Sequence, residues 1–239
     1  MVKTTTERRA SGYSYADLSA LMSRMTGDEK HSSAATSTLD VLWVLYDQVL
    51  SVSPDATVDL RRDRFLLSKG HGPVAYYAVL AAKGFLEPEL LDRWGEFDSP
   101  LGFHPDRMLV PGAEIGSGSL GHGLPLALGT VLGLRARGRT RPRIVVLVGD
   151  AELEEGSNHE AIALAGRLGI GQLTTVVVDN RSSTHGWPGG IGERFAREGW
   201  RQHTVDGRDH DSLREALTDT RVNRPLAVVA HVEQQGAQA

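Results

Sequence analysis

The chain of 239 residues carries 26 Lys and Arg against 30 Asp and Glu, a formal net charge of −4, and 40% of it is hydrophobic. This is the composition of a globular protein long enough for a substantial core; the acidic balance, without a Lys/Arg-rich run, argues against a generic nucleic-acid binder. There is no cysteine, which excludes disulfides, a thiolate nucleophile and a Cys-based zinc site.

The segment from Met1 to Ala10 is polar and charged with no apolar run behind it. It reads as a flexible tail over 1–14 rather than a signal peptide, and cytoplasmic residence is the expectation. Apolar stretches are of strand length, far short of the ~20 residues that cross a bilayer. The periodic sets Leu18, Leu21, Met22, Met25 and Leu39, Leu42, Leu45, Tyr46, Leu50 predict two helices. RFLLS (64–68) predicts a strand ending in the Gly70-His71-Gly72 turn, with a helix over 73–83 behind it. The glycine- and proline-rich stretch 97–123 predicts a long loop, and long loops inside compact domains are usually functional. A helix over 124–136 follows, then five alternating arginines, Arg135 to Arg143, that read as a solvated connection. Strands at 143–149, 173–179, 201–205 and 226–232 alternate with helices at 157–168, 191–198 and 210–220. These strands read as continuous apolar runs rather than alternating ones, as when helices cover both faces. The order predicts one doubly wound α/β domain over 15–239 with a mostly parallel sheet.

Ligands of open α/β sheets sit beyond the carboxyl ends of the strands, and two ends here are polar: Gly149-Asp150-Ala151 and Asp179-Asn180-Arg181-Ser182. Asn180 follows Asp150 by 30 residues (180 − 150), one strand–helix–strand unit. On neighbouring strands this spacing sets a carboxylate beside an amide oxygen, a hard-oxygen pair suited to Mg²⁺. Gly149 allows the backbone to turn sharply there. The same residues could equally cap a helix and close a turn.

Five segments add to that pair. GDAELEEG (149–156) with VVVDN (176–180), LLSKGHG (66–72), GFHPD (102–106), IGSGSLGHGL (115–124) and VDGRDHDSL (205–213) stand in an order that resembles the N-terminal section of transketolase. The resemblance runs from about residue 15 to the C-terminus and implies the thiamine diphosphate-binding fold, with thiamine diphosphate and Mg²⁺ as cofactors. It implies Asp150, the Asn180 side chain and the Ser182 carbonyl as metal ligands, bridging the two phosphates. His71 would donate to the diphosphate, while Gly118, Ser119 and Leu120 approach the aminopyrimidine through backbone groups. Gly149, Ala151, Glu155 and Thr184 complete the implied cofactor contacts. His71, His104, His31 and Glu160 are the implied catalytic residues, with His104 near the reacting carbon and Glu155 and Glu160 at a subunit interface. His71 also reads as a turn histidine, and Glu155 and Glu160 as helix-stabilising acids.

Departures from the family pattern are Ala151 for glycine, Lys30-His31-Ser32-Ser33-Ala34 for a proline- and glycine-rich turn, Thr184 for a bulky aliphatic and His185 for an acid. They suggest an altered substrate. The implied activity is transfer of a two-carbon ketol unit from a ketose or ketose phosphate to an aldehyde. Two alternatives are transfer from a 2-oxoacid with decarboxylation, and a non-catalytic thiamine-binding regulatory subunit. In the family, a glutamate from a second, pyrimidine-binding domain activates the cofactor. The expected partner is therefore a separate chain carrying that domain, in an α2β2 assembly, with no nucleic acid or membrane involved.

Overall fold

A computed structural model describes residues 12–26, 36–70, 73–219 and 223–233; most of the expected tail, with His31 and His71, lies outside them. Five strands form one sheet: β1 Arg64–Leu67, β2 Ile144–Gly149, β3 Leu173–Asp179, β4 Arg201–Asp206 and β5 Leu226–His231. Their order is β1-β2-β3-β5-β4, and every pairing is parallel. The chain is thus a doubly wound α/β domain, as its alternating pattern predicts. β2 is buried along its whole length and β3 up to its last residue, Asp179, consistent with helices on both faces. β4 alternates between half-buried and exposed residues, as an edge strand does.

Helices α1 Leu18–Arg24, α2 Leu39–Val44 and α3 Val74–Ala82 cover one face together with α7 His210–Thr218. Helices α4 Gly123–Ala136, α5 Gly156–Arg167 and α6 Ile191–Arg197 cover the other. Every residue of α3 is buried; an apolar surface on all sides makes it a central helix. The periodicity over 39–50 predicts one helix, but α2 passes at Leu45–Val49 into a wider, π-type turn. That turn carries Tyr46 among Phe65, Tyr76 and Phe85, each edge-on at 5.5–6.2 Å, so tertiary packing overrides the regular period. The N-terminus of α7 is capped by Asp209, which accepts from the backbone N–H of Asp211 and Ser212.

α4 departs from the usual amphipathic pattern. It has no charged residue before Arg135, yet its outer side leaves Leu126 48% and Leu132 38% exposed, with open space beside Gly129 and Gly133. A helix this apolar is ordinarily covered on both sides. No helix among the described residues is long and apolar enough to cross a membrane.

The winding also locates the site. β1 leads to α3 on one face of the sheet and β2 to α5 on the other. Adjacent strands whose following helices pass to opposite faces mark the crevice position at which open α/β sheets hold ligands.

Candidate functional site

β2 and β3 end side by side, with Gly149 paired to Val178 and the Asp150 N–H donating to the Val178 carbonyl at 3.2 Å. Asp150 follows Gly149 directly and Asn180 follows Asp179, the last residue of β3; they are 1% and 2% exposed. The Asp150 carboxylate accepts from Ser182 N (2.6 Å), Ser183 N (2.9 Å) and Ser182 Oγ (2.6 Å). The chain folds back this sharply because Arg181 adopts φ 56°, the one positive φ outside glycine among the described residues. Strain of that kind is held only where surrounding contacts over-determine it. A carboxylate offers about four acceptor positions; three are taken, leaving one.

Asn180 Oδ1 is buried and has no hydrogen-bond partner among the described residues. An unpaired buried acceptor costs about 1–3 kcal/mol and asks for an explanation such as an ion. A hard cation beside Asp150 would supply it. The donor set of a carboxylate, an amide oxygen and a backbone carbonyl fits Mg²⁺, which takes few protein ligands and fills its octahedron with phosphates and water. Among the described residues no cluster of three His, Cys, Asp or Glu offers a competing metal site.

The glycine-rich loop closes over the end of β1. A β-carbon on Gly70 would lie 2.6 Å from Ser117 Oγ, and one on Gly123 2.2 Å from Ser68 Cβ, so both contacts require glycine. Gly118 has φ 114°, and its α-carbon faces the His104 ring, 3.0 Å from where a β-carbon would stand. Ser119 and Leu120 are exposed at the loop's tip. The side chain of Glu155 packs against Gly121, within 2.6 Å of a β-carbon built there. This is the composition expected of a loop that meets a ligand with its backbone.

Two charged groups lie beneath. Glu152, 2% exposed, accepts from Ser68 Oγ, from Gly121 N at 2.9 Å and from Gly149 N at 3.3 Å. Burial pushes its pKa up, against these donors. Lys69 runs along Gly149; burial lowers its pKa, opposed by the nearby carboxylates of Asp150 and Glu152. The sequence pattern singles out neither. A lysine just past a buried strand on the ligand side is a readable signal, whereas Glu152 is indistinguishable from Glu154 and Glu155 beside it. Glu154 accepts from Ser183 Oγ (2.5 Å) and His185 N (2.8 Å), and these two bonds hold its pKa below the ordinary value. Thr184 is exposed within the turn they pin.

Of the expected residues, the fold gathers Gly149, Asp150, Ala151, Asn180, Ser182 and Thr184 at the ends of β2 and β3. Gly118, Ser119, Leu120 and His104 belong to the adjoining loop, and Glu155, at the N-terminus of α5, packs against it. Glu160 stands apart, exposed on α5 in a groove with Leu164, Arg167 and Arg197.

The fold and site together define a parallel α/β domain whose strand ends carry a buried carboxylate and a buried amide next to a glycine-rich loop. Residues 21–233 match the family model of the transketolase thiamine diphosphate binding domain, and the chain belongs to that family. It is 58% identical over 227 residues to "Ferredoxin fas2" of Rhodococcoides fascians, covering 95% of this chain and 75% of that protein. It is 33% identical over 208 residues to an apulose-4-phosphate transketolase subunit of Actinobacillus succinogenes, covering 84% of this chain and 75% of that one. Among solved structures, the transketolase mutant R525L of Pichia stipitis superposes with a TM-score of 0.76 at 25% identity, over 92% of this chain. The chain spans 36% of that transketolase. Iron–sulfur clusters are held chiefly by cysteine thiolates, and these 239 residues contain none.

Proposed function

We propose that this chain is the diphosphate-binding subunit of a two-subunit, transketolase-like enzyme. The enzyme moves a two-carbon ketol unit from a ketose or ketose phosphate to an aldehyde, using thiamine diphosphate and Mg²⁺. The observation that carries the reading is the buried Asn180 oxygen, without a hydrogen-bond partner among the described residues, just past the end of the strand that pairs with the one leading into Asp150. The naming of two relatives as subunits of apulose-4-phosphate transketolases supports it. So does a further relative, 31% identical, that is named as a 6-deoxy-6-sulfo-D-fructose transketolase subunit. These names point to a ketose with an anionic end as the substrate class.

In this reading Asp150, Asn180 and the Ser182 carbonyl hold the cation, and His71 donates to the diphosphate. The backbone of Gly118 to Leu120 receives the aminopyrimidine. Bound thiamine diphosphate supplies the nucleophilic carbon and the electron sink. His104, exposed above Gly118, stands where an imidazole can hydrogen-bond a substrate hydroxyl or move its proton. Glu155 and Glu160 face the subunit interface. The glutamate that engages the pyrimidine ring comes from a separate chain, and the assembly is α2β2 and cytoplasmic. The apolar outer side of α4 gives that chain a surface to cover.

The test is reconstitution with the separate chain, followed by two assays: formation of a new ketose from a ketose and an aldehyde, and CO₂ release from a labelled 2-oxoacid. Ketose exchange is expected. CO₂ release in its place assigns a 2-oxoacid donor, and a complex that binds the cofactor but does neither ends the claim of catalysis.

A further inference from the structure

Glu152 lies beneath the crevice and takes no part in the chemistry above, yet three segments distant in sequence converge on its carboxyl group. Ser68 follows β1, Gly121 belongs to the glycine-rich loop and Gly149 ends β2, and each donates to it. The Ser68 hydroxyl also accepts from Gly123 N at 3.0 Å, so the first turn of α4 joins the same chain of bonds. Asn158 Nδ2 holds the Glu152 carbonyl at 2.7 Å, which fixes the turn that carries the residue. Each donor stands close in sequence to a residue assigned to the cofactor: Ser68 comes three residues before His71, Gly121 follows Leu120, and Gly149 precedes Asp150.

We infer that Glu152 is a positioning residue: one buried carboxylate sets the spacing of the three segments that receive the cofactor. At 2% exposure it is beneath those segments and acts through them. An apolar side chain in its place would leave three buried donors without an acceptor, and such groups are stable in a low-dielectric interior only when paired. The crevice would then lose its spacing while the sheet below, held by its own ladder, persists. The inference rests on the proposed reading of the crevice as the cofactor site.

The experiment uses the full chain, alone and reconstituted with its partner, as wild type, Glu152→Ala, Glu152→Gln and, as a control, Leu217→Ala. Leu217 is buried in α7 on the opposite face of the sheet. Amide exchange at Gly121 and Gly149 is followed by NMR, and binding of thiamine diphosphate with Mg²⁺ by calorimetry. In Glu152→Ala both glycines are expected to exchange about 10-fold faster or more, and the cofactor Kd to rise about 30-fold, in the range of a lost charge-assisted bond or an outer-shell partner. Glu152→Gln keeps an acceptor for Ser68 and Gly121 and should restore slow exchange at Gly121 but not at Gly149. Leu217→Ala should lower the melting temperature without moving the cofactor Kd. The inference is overturned if Glu152→Ala leaves both amides as in wild type, or weakens the cofactor no more than Leu217→Ala does. If wild type binds no cofactor, the reading of the crevice falls and takes the positioning role with it, while the exchange data still report whether the carboxylate ties the segments.

Discussion

Asn180 follows the end of β3 with a buried oxygen that no described residue satisfies, and that single atom makes a sharp prediction. Asn180→Ala removes an acceptor that has no partner among the described residues, so the stability of the cofactor-free chain should change by less than about 1 kcal/mol. Binding of thiamine diphosphate with Mg²⁺ should weaken about 100-fold, at or above the upper end of what loss of an outer-shell partner gives; calorimetry and a melting curve on the same variant separate the two effects. A second prediction concerns acid. The Glu154 pKa lies below its ordinary 4.5 because Ser183 and His185 donate to it. A carboxyl depressed by folding contributes stability above its unfolded pKa and loses it as pH falls through the folded value. The turn 182–186 should therefore loosen below about pH 4.5, the range of an unperturbed glutamate, visible as a change in Trp187 fluorescence. Glu154→Gln should flatten that transition. At this scale the sequence is partly legible. Asp150 and Asn180 are readable from a spacing and a strand-end rule, but Glu152 is one of three similar acids, and only the three-dimensional arrangement of Ser68, Gly121 and Gly149 sets it apart.

The elements are more readable than the residues. β2, β3 and β5 are apolar runs bounded by glycine, proline or polar residues, and nothing local competes with that pattern. The expected 39–50 helix instead widens at Leu45–Val49, because Tyr46 is drawn into an aromatic cluster whose members are scattered along the chain. No local periodicity contains that information. The caps give an easily measured consequence: Asp209→Ala should cost about 1 kcal/mol, read as a shift in the denaturant midpoint with unchanged slope. Gly123→Ala tests the junction of α4 with β1. Its β-carbon would fall 2.2 Å from Ser68 Cβ, and overpacking of this kind costs about 1–3 kcal/mol. Loss of cofactor binding should accompany it, since Ser68 lies under the crevice.

For the molecule as a whole, doubly wound topology places the ends of β1 and β2 at a crevice and leaves the α4 flank open. Binding that favours the folded chain raises its stability by mass action, so the melting temperature of the mixture should rise with the concentration of the completing chain. A melting temperature that stays flat across that titration would count against assembly on this surface. Under the proposed two-chain assembly, the outer side of α4, with Leu126 and Leu132 uncovered beside two glycines, also bears on the life of the chain before its partner binds. An orphaned copy would display a sticky, uncharged flank to chaperones and to its own kind, so solo expression should give insoluble material that co-expression rescues. Leu126→Lys would make the solitary chain more soluble and, by the same stroke, deny it a companion.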